Sequence, residues 1–176
     1  MLKPLLEDES IKKNGQNIKY EMVILARNGI DLNGVEFDTM VASYLLNPSK
    51  LSHGLEQLAL DFLNYRKIPI ENLIGKGAKQ TTMDKANVRQ VADYSCEDAD
   101  ITLRLKDILQ PMLKEKGLYE LFERVEIPLI KVLARMELCG VCVDVQVFRE
   151  LSARLDKQLE ELEQEVYELA GHEFNI

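Results

Sequence analysis

Residues 93–103 read Asp-Tyr-Ser-Cys-Glu-Asp-Ala-Asp-Ile-Thr-Leu, inside a segment with helical periodicity that runs from Asp84 to Lys116. Because side chains four positions apart share one face of a helix, Tyr94 and Asp98 are expected to point the same way. A phenol beside a carboxylate can hold a metal ion and orient a water molecule on it, as phosphodiester hydrolysis requires. Acidic residues also stabilise a helix N-terminus without any catalytic role. On this segment alone, the second interpretation is favoured.

The composition indicates a globular protein without a strong affinity of its own for nucleic acid. The chain has 176 residues, of which 46% are apolar, and a formal net charge of −8. This length suits one domain, or one and a fraction. An acidic chain lacks the broad basic face that holds duplex DNA, although a metal-dependent nuclease needs carboxylates. There is no long apolar run and no signal peptide, and three cysteines, an odd number, indicate reduced thiols in the cytoplasm.

The periodicity predicts a mostly helical chain with few strands. Asn17 is expected to cap a helix that ends near Asn28, and Asp84 to cap the helix that continues to Lys116, with a kink or break at Pro111. Short strands are predicted at residues 35–39 and 141–143, too few to make a sheet alone. Asp144 is expected to cap a last helix over residues 145–170, whose apolar stripe runs from Phe148 to Leu169.

A second segment changes the interpretation of the first. Residues 15–21 read Gly-Gln-Asn-Ile-Lys-Tyr-Glu and precede an apolar run. Together the two segments resemble the proofreading region of the family A DNA polymerases, the bacterial DNA polymerase I type. That family has an Asn-x-x-x-Asp motif and a Tyr-x-x-x-Asp motif; here Asn17, Tyr94 and Asp98 match, and Glu21 stands where the family has Asp. Further segments resemble the family in the same order: Phe37–Met40, Gly75–Gly77, Glu126–Leu129 and Gly140–Asp144.

The resemblance implies a fold and a division of the chain. Residues 1–116 would be the later part of a ribonuclease H-like (DnaQ-like) 3′→5′ exonuclease domain, and residues 117–176 the start of the polymerase domain. The chain would be mostly α within an α/β parent, whose sheet is completed by upstream strands. The family also has an Asp-x-Glu on its first strand, and no Asp-x-Glu occurs in this sequence. We therefore expect a middle segment of a larger polymerase that is inactive by itself.

The resemblance also implies a site. Tyr94, Asp98 and Glu21 would be catalytic, with Asp98 and Glu21 as ligands of two Mg²⁺ ions and no other cofactor. Asn17 and Tyr20 would contact the substrate. Glu21 carries one more methylene than the family's Asp, so it reaches the metal through a water molecule or the site is degenerate; the sequence leaves both open.

The parent would be a DNA-directed DNA polymerase, a nucleotidyltransferase of DNA replication and repair. It would act on primer-template DNA and single-stranded 3′ ends in the cytoplasm, at the nucleoid, without a membrane. The helix over residues 145–170 could mediate self-association. A free-standing 3′→5′ exonuclease acting on RNA ends and a helical interaction module are the alternatives. The glycine-rich loop over residues 75–82 lacks P-loop spacing; it is either a DNA phosphate contact or a solvated loop.

Overall fold

The computed structural model describes residues 2–77 and 80–176, so Met1 and, in the basic loop, Ala78 and Lys79 lie outside the described residues. Two compact units divide the chain, Met1–Cys139 and Gly140–Ile176. The prediction of a mostly helical chain is confirmed. The elements in chain order are α1 (Lys3–Glu7), β1 (Lys13–Gly15), α2 (Ile18–Arg27), β2 (Val35–Asp38), α3 (Thr39–Leu46), α4 (Leu55–Leu63), α5 (Glu71–Ile74), α6 (Val88–Glu115), α7 (Tyr119–Leu121), α8 (Ile127–Cys139) and α9 (Val145–Ala170).

A two-stranded parallel sheet lies in the first unit. β1 pairs with β2, with Asn14 opposite Phe37 and Gly15 opposite Asp38. The sequence analysis predicted β2 but missed β1, and it expected no sheet from this chain alone. Lys13-Asn14-Gly15 contains no β-branched or aromatic residue, so only its pairing with β2 makes it a strand.

The core of the first unit forms around one face of α6. Apolar side chains of α6 recur every four residues on that face and are almost fully buried: Ile101, Leu105, Leu109 and Leu113. They cluster with Phe37 of β2 and with Phe122, whose rings lie 4.8 Å apart between centroids. A second, smaller cluster joins α2 to α8 through residues such as Met22, Ile130 and Ala134.

The long helix α6 begins later than the sequence predicted and is not broken. Asn87 caps it by accepting hydrogen bonds from the backbone N–H groups of Arg89 and Gln90, whereas Asp84 lies in a preceding 3₁₀ turn. The helix passes through Pro111 without interruption. Proline removes one backbone hydrogen bond, and burial of Leu109 and Leu113 on either side holds the helix together.

The first compact unit extends past the predicted domain boundary between residues 116 and 117. A π-type turn, Phe122–Glu126, leads directly into α8. Phe122 is fully buried in the α6 core, and α8 packs on α2. The boundary between compact units therefore lies after Cys139. The assignment of residues 1–116 to the exonuclease domain and of residues 117–176 to the polymerase domain stays a prediction.

The second unit consists mainly of α9. Asp144 caps this helix as predicted, because its Oδ1 accepts hydrogen bonds from the backbone N–H groups of Gln146 and Val147. The predicted strand over residues 141–143 is wrong: the segment is irregular, and its own unit holds no strand with which it could pair. No residue of α9 is buried. Among the described residues, no helix has the length and apolarity needed to cross a membrane.

Candidate active site

Tyr94 and Asp98 line a cleft of about 1040 Å³ in the first unit. Glu21 lines the same cleft, so three of the residues that the sequence singled out come together. Asn17 and Tyr20 are not part of the cleft lining. The other walls come from β1 and the start of α2, from the segment between α4 and α5, and from α6: Asn14, Gln16, Tyr65, Arg66, Lys67 and Thr102 are among them.

Lys67 is the residue that the sequence analysis missed. Its side chain is 6% exposed, and its Nζ lies 2.6 Å from Asp98 Oδ1. The same ammonium lies 4.1 Å from the centroid of the Tyr94 ring, a cation–π distance. Desolvation opposes the charge of Lys67, but hydrogen bonds to Asp98 and Tyr94 outweigh it and raise the pKa of Lys67 above its usual value. Lys67 therefore stays positively charged while it contacts both residues of the Tyr-x-x-x-Asp motif.

The segment that carries Lys67 is fastened to α6 on either side of it. Glu97 accepts one hydrogen bond from the Tyr65 hydroxyl and one from the backbone N–H of Ile68, each 2.8 Å long. The hydrogen bond to Glu97 raises the pKa of Tyr65. Because these two bonds flank Lys67, they hold its backbone beside Asp98.

Asp38 organises the starts of α2 and α3. Its carboxylate, 1% exposed, accepts hydrogen bonds from Met40 N and Val41 N at the start of α3 and from Ile18 N at the start of α2. Asp38 is therefore a capping carboxylate. Asn17 was predicted to cap α2, and that prediction is wrong: Asn17 has left-handed backbone angles, its side chain makes no cap, and Asp38 takes this role.

Glu21 lies in the first turn of α2, exposed at the edge of the cleft. Partial desolvation raises its pKa, a backbone hydrogen bond opposes that effect, and the nearby charge of Asp38 raises it further. Burial also raises the pKa of Asp38, against the effect of its backbone hydrogen bonds. The charge of the buried Asp38 carboxylate therefore disfavours the charged form of Glu21, which lines the cleft.

The residues of this cleft do not by themselves fit two Mg²⁺ ions. In the described part of the chain, no three His, Cys, Asp or Glu side chains come together as a ligand set. Asp98 is paired with an ammonium group, and Glu21 contributes a single carboxylate. Mg²⁺ requires near-octahedral coordination by oxygen, and a two-ion site requires ligands that bridge both ions.

A buried polar atom of the cleft wall lacks a hydrogen-bond partner among the described residues. Asn14 Oδ1, on β1, is buried and accepts no hydrogen bond from the described residues. An unsatisfied buried acceptor is costly, so this edge of the sheet is suited to receive a donor from another group.

Comparisons with known proteins agree on one family. A family model described as "DNA polymerase I, ribonuclease H-like domain" matches residues 1–105. The chain is 43% identical over 175 residues to a DNA polymerase I of Rhizobium leguminosarum, covering 99% of this chain and 17% of that protein. It is 42% identical over 178 residues to a DNA polymerase I of Pseudomonas aeruginosa, covering 99% of this chain and 20% of that protein. The chain thus spans about a fifth of the length of these relatives.

A solved structure is similar over nearly the whole chain. It is described as the POL domain of Pol1 from M. smegmatis in complex with DNA primer-template and dNTP. Its TM-score to this chain is 0.72 at 26% sequence identity, and the match covers 99% of this chain and 27% of that one.

Proposed function

Since this chain belongs to the DNA polymerase I family and carries its ribonuclease H-like domain over residues 1–105, we propose that it forms part of a DNA-directed DNA polymerase with a 3′→5′ proofreading exonuclease. Residues 1–116 are assigned to the later part of the exonuclease domain, and residues 117–176 to the beginning of the polymerase domain. The alternatives, a free-standing exonuclease acting on RNA ends and a helical interaction module, are not favoured, because the relatives over 99% of the chain are DNA polymerases.

The observation that carries this proposal is the meeting of Tyr94, Asp98 and Glu21 in one cleft. Tyr94 and Asp98 come from one face of α6, and Glu21 comes from α2, 73 positions earlier in the chain. In the proposed reaction the Tyr94 hydroxyl orients the attacking water, and the carboxylates of Asp98 and Glu21 line its approach to the phosphodiester.

The proposed substrate is the single-stranded 3′ end of DNA. An open cleft lined by an aromatic ring and basic side chains, here Tyr65 and Arg66, suits a single strand, whose bases stack and whose phosphates are negative. Asn17 and Tyr20 precede Glu21 in the chain, and we assign them as contacts to the same DNA strand. Most of the DNA affinity is assigned to other parts of the polymerase, because this chain carries a net charge of −8.

The proposed activity depends on metal ions, and Mg²⁺ is the proposed ion. Because the cleft does not hold two such ions by itself, we assign the missing ligands to the family's Asp-x-Glu strand, in a part of the polymerase outside this sequence. The two-stranded sheet supports this assignment. An isolated pair of strands is marginally stable, and further strands can extend it at its open edges.

An activity comparison tests the proposal. The chain by itself is expected neither to extend primers nor to shorten single-stranded DNA with Mg²⁺ or Mn²⁺, whereas a longer polymerase that contains this sequence should do both. Gel analysis of end-labelled primers and single strands measures both activities. Primer extension by the chain alone, or 3′ shortening that Asp98→Ala abolishes in the chain alone, would contradict the proposal.

We also propose a cytoplasmic location and contact with the nucleoid through DNA.

Self-association through α9 is a separate part of the proposal. The second unit buries none of the apolar residues along α9, which include Phe148, Leu155, Leu162 and Leu169. A stripe of this length favours burial against a second copy when no other part of the polymerase covers it.

Sedimentation at increasing concentration measures this association. Leu162→Glu is expected to shift the chain to monomer, because it places a charge in the apolar stripe. Gln164→Glu adds the same charge on the opposite face of α9 and should leave association unchanged. If the unaltered chain stays monomeric at every concentration, or if both variants behave alike, the stripe does not mediate association.

A further inference from the structure

We propose that Lys67 is the resident counter-ion of Asp98 and that a divalent cation can bind Asp98 only by displacing the Lys67 ammonium. The inference rests on the proposed function, in which Asp98 is a carboxylate of the nuclease site. It begins from the burial of Lys67. Among the ion pairs of the described residues, its side chain is the least exposed of the cations, at 6%, and the next lowest is Lys106 at 15%.

The position of the ammonium is defined by two contacts at once. Lys67 Nζ lies 2.6 Å from Asp98 Oδ1 and 4.1 Å from the centre of the Tyr94 ring. Both contacts involve the two residues of the Tyr-x-x-x-Asp motif, and both favour a cation at this point. The ammonium thus occupies a position at which a cation contacts Asp98 Oδ1 and the Tyr94 ring at once.

Hydrogen bonds to the neighbouring residues fix the backbone of Lys67 in this position. Glu97, which follows Tyr94 by three residues and directly precedes Asp98 on α6, anchors the residues on either side of Lys67 through the Tyr65 hydroxyl and the Ile68 N–H. Displacement of Lys67 therefore requires its side chain to leave while its backbone stays fixed.

Electrostatic repulsion prevents the Lys67 ammonium and a divalent ion from binding Asp98 Oδ1 at the same time. A divalent ion on Asp98 Oδ1 would lie within a few ångströms of the ammonium, and like charges at that distance in a partly desolvated cleft repel strongly. Without an ion, the ammonium and the Asp98 carboxylate neutralise each other, which offsets the cost of burying the Lys67 charge. Lys67 therefore keeps the site folded when it holds no metal and lowers its metal affinity.

Mn²⁺ binding to the chain, followed by the EPR signal of the free ion, tests this competition. Lys67→Met keeps the length of the side chain and removes its charge, and we expect it to bind Mn²⁺ at least about tenfold more tightly than the unaltered chain. Adding Asp98→Asn to Lys67→Met should abolish the gain. A folded Lys67→Met chain with unchanged Mn²⁺ affinity would overturn the proposal.

Lys50 offers a matched control in the same unit. Its Nζ lies 2.5 Å from Asp61 Oδ2 and 5.6 Å from the centroid of the Phe62 ring, so it combines the same two kinds of contact away from the motif. Lys50→Met is expected to leave Mn²⁺ binding unchanged. An equal gain in both variants would mean that any freed carboxylate suffices, which would also overturn the proposal.

A measurement on the unaltered chain covers the case in which Lys67→Met does not fold. With Mg²⁺, the ¹⁵Nζ NMR signal of Lys67 should shift together with the carboxyl ¹³C signal of Asp98, while the signal of Lys50 stays in place. A shifted Asp98 signal with an unmoved Lys67 signal would overturn the competition. These readouts are independent of exonuclease activity: a longer polymerase without exonuclease would refute only the proposed function, and unaltered metal binding in Lys67→Met only the role of Lys67.

Discussion

Replacement of Asp98 by alanine in a longer polymerase that contains this sequence is expected to lower the rate of 3′-end shortening by at least about 1000-fold. Primer extension should stay unchanged. The substitution removes a proposed catalytic carboxylate and also leaves the Lys67 ammonium buried without its partner, which reorganises the cleft. Release of nucleotides from end-labelled single-stranded DNA measures the loss.

Two further variants separate charge from shape in this experiment. Asp98→Asn keeps the size of the side chain and should lose nearly as much activity as Asp98→Ala. Asp100→Ala removes an exposed carboxylate two residues further along α6, where it pairs with Arg104, and should leave the rate within about threefold of the original. An Asp98→Ala enzyme that keeps its exonuclease rate would remove Asp98 from the site.

The same assay decides the role of Glu21. If Glu21 acts as the family's aspartate does, Glu21→Ala lowers the rate strongly, and Glu21→Asp keeps or raises it because it restores the shorter side chain. Mn²⁺, which tolerates looser geometry than Mg²⁺, should then rescue the site preferentially. Normal Mg²⁺-dependent exonuclease that is indifferent to both substitutions would show that Glu21 is not a ligand.

Replacement of Phe122 by alanine is expected to lower the free energy of unfolding of the first unit by about 3–5 kcal/mol. Phe122 is fully buried, and its ring lies 4.8 Å from that of Phe37, so truncation leaves a cavity in the largest cluster of the core. Urea unfolding followed by circular dichroism measures the change.

Val125→Ala provides the control for this loss of stability. Val125 belongs to the same π-type turn but is 50% exposed, and its truncation should change stability by less than about 0.5 kcal/mol. A small effect at Phe122 would mean that the residues after 116 do not belong to the core of the first unit. It would then bring the boundary of the compact unit back to the predicted domain boundary.

The comparison of α6 with its surroundings illustrates how far the sequence predicts this site. The helix and the shared face of Tyr94 and Asp98 follow from spacing within one segment, since positions four apart are neighbours on any helix. The meeting with Glu21 came from the family resemblance and not from spacing. Lys67 had no signal at all: it stands in an irregular segment, 31 positions before Asp98, and its place depends on how Glu97 anchors that segment.

The capping residues also separate what local spacing predicts from what depends on the tertiary fold. Asp144 was predicted because its partners, Gln146 and Val147, follow it directly in the chain. Asn17 satisfied the same local rule at α2 and does not cap it, because its backbone is left-handed, and the distant Asp38 carboxylate accepts a hydrogen bond from the N–H group of Ile18. The local rule holds only where the candidate residue has the extended backbone from which its side chain reaches the N–H groups of the first turn.

The sequence by itself determined the family, the helical character of the chain and the amphipathic faces of α6 and α9, because each is written in residue types at short, regular spacings. Only the tertiary structure decided that β1 is a strand, that Asp38 caps two helices, that Phe122 completes the core and that Lys67 neutralises Asp98. These four features join residues 20 or more positions apart, and their partners are selected by the path of the whole chain, which periodicity does not encode.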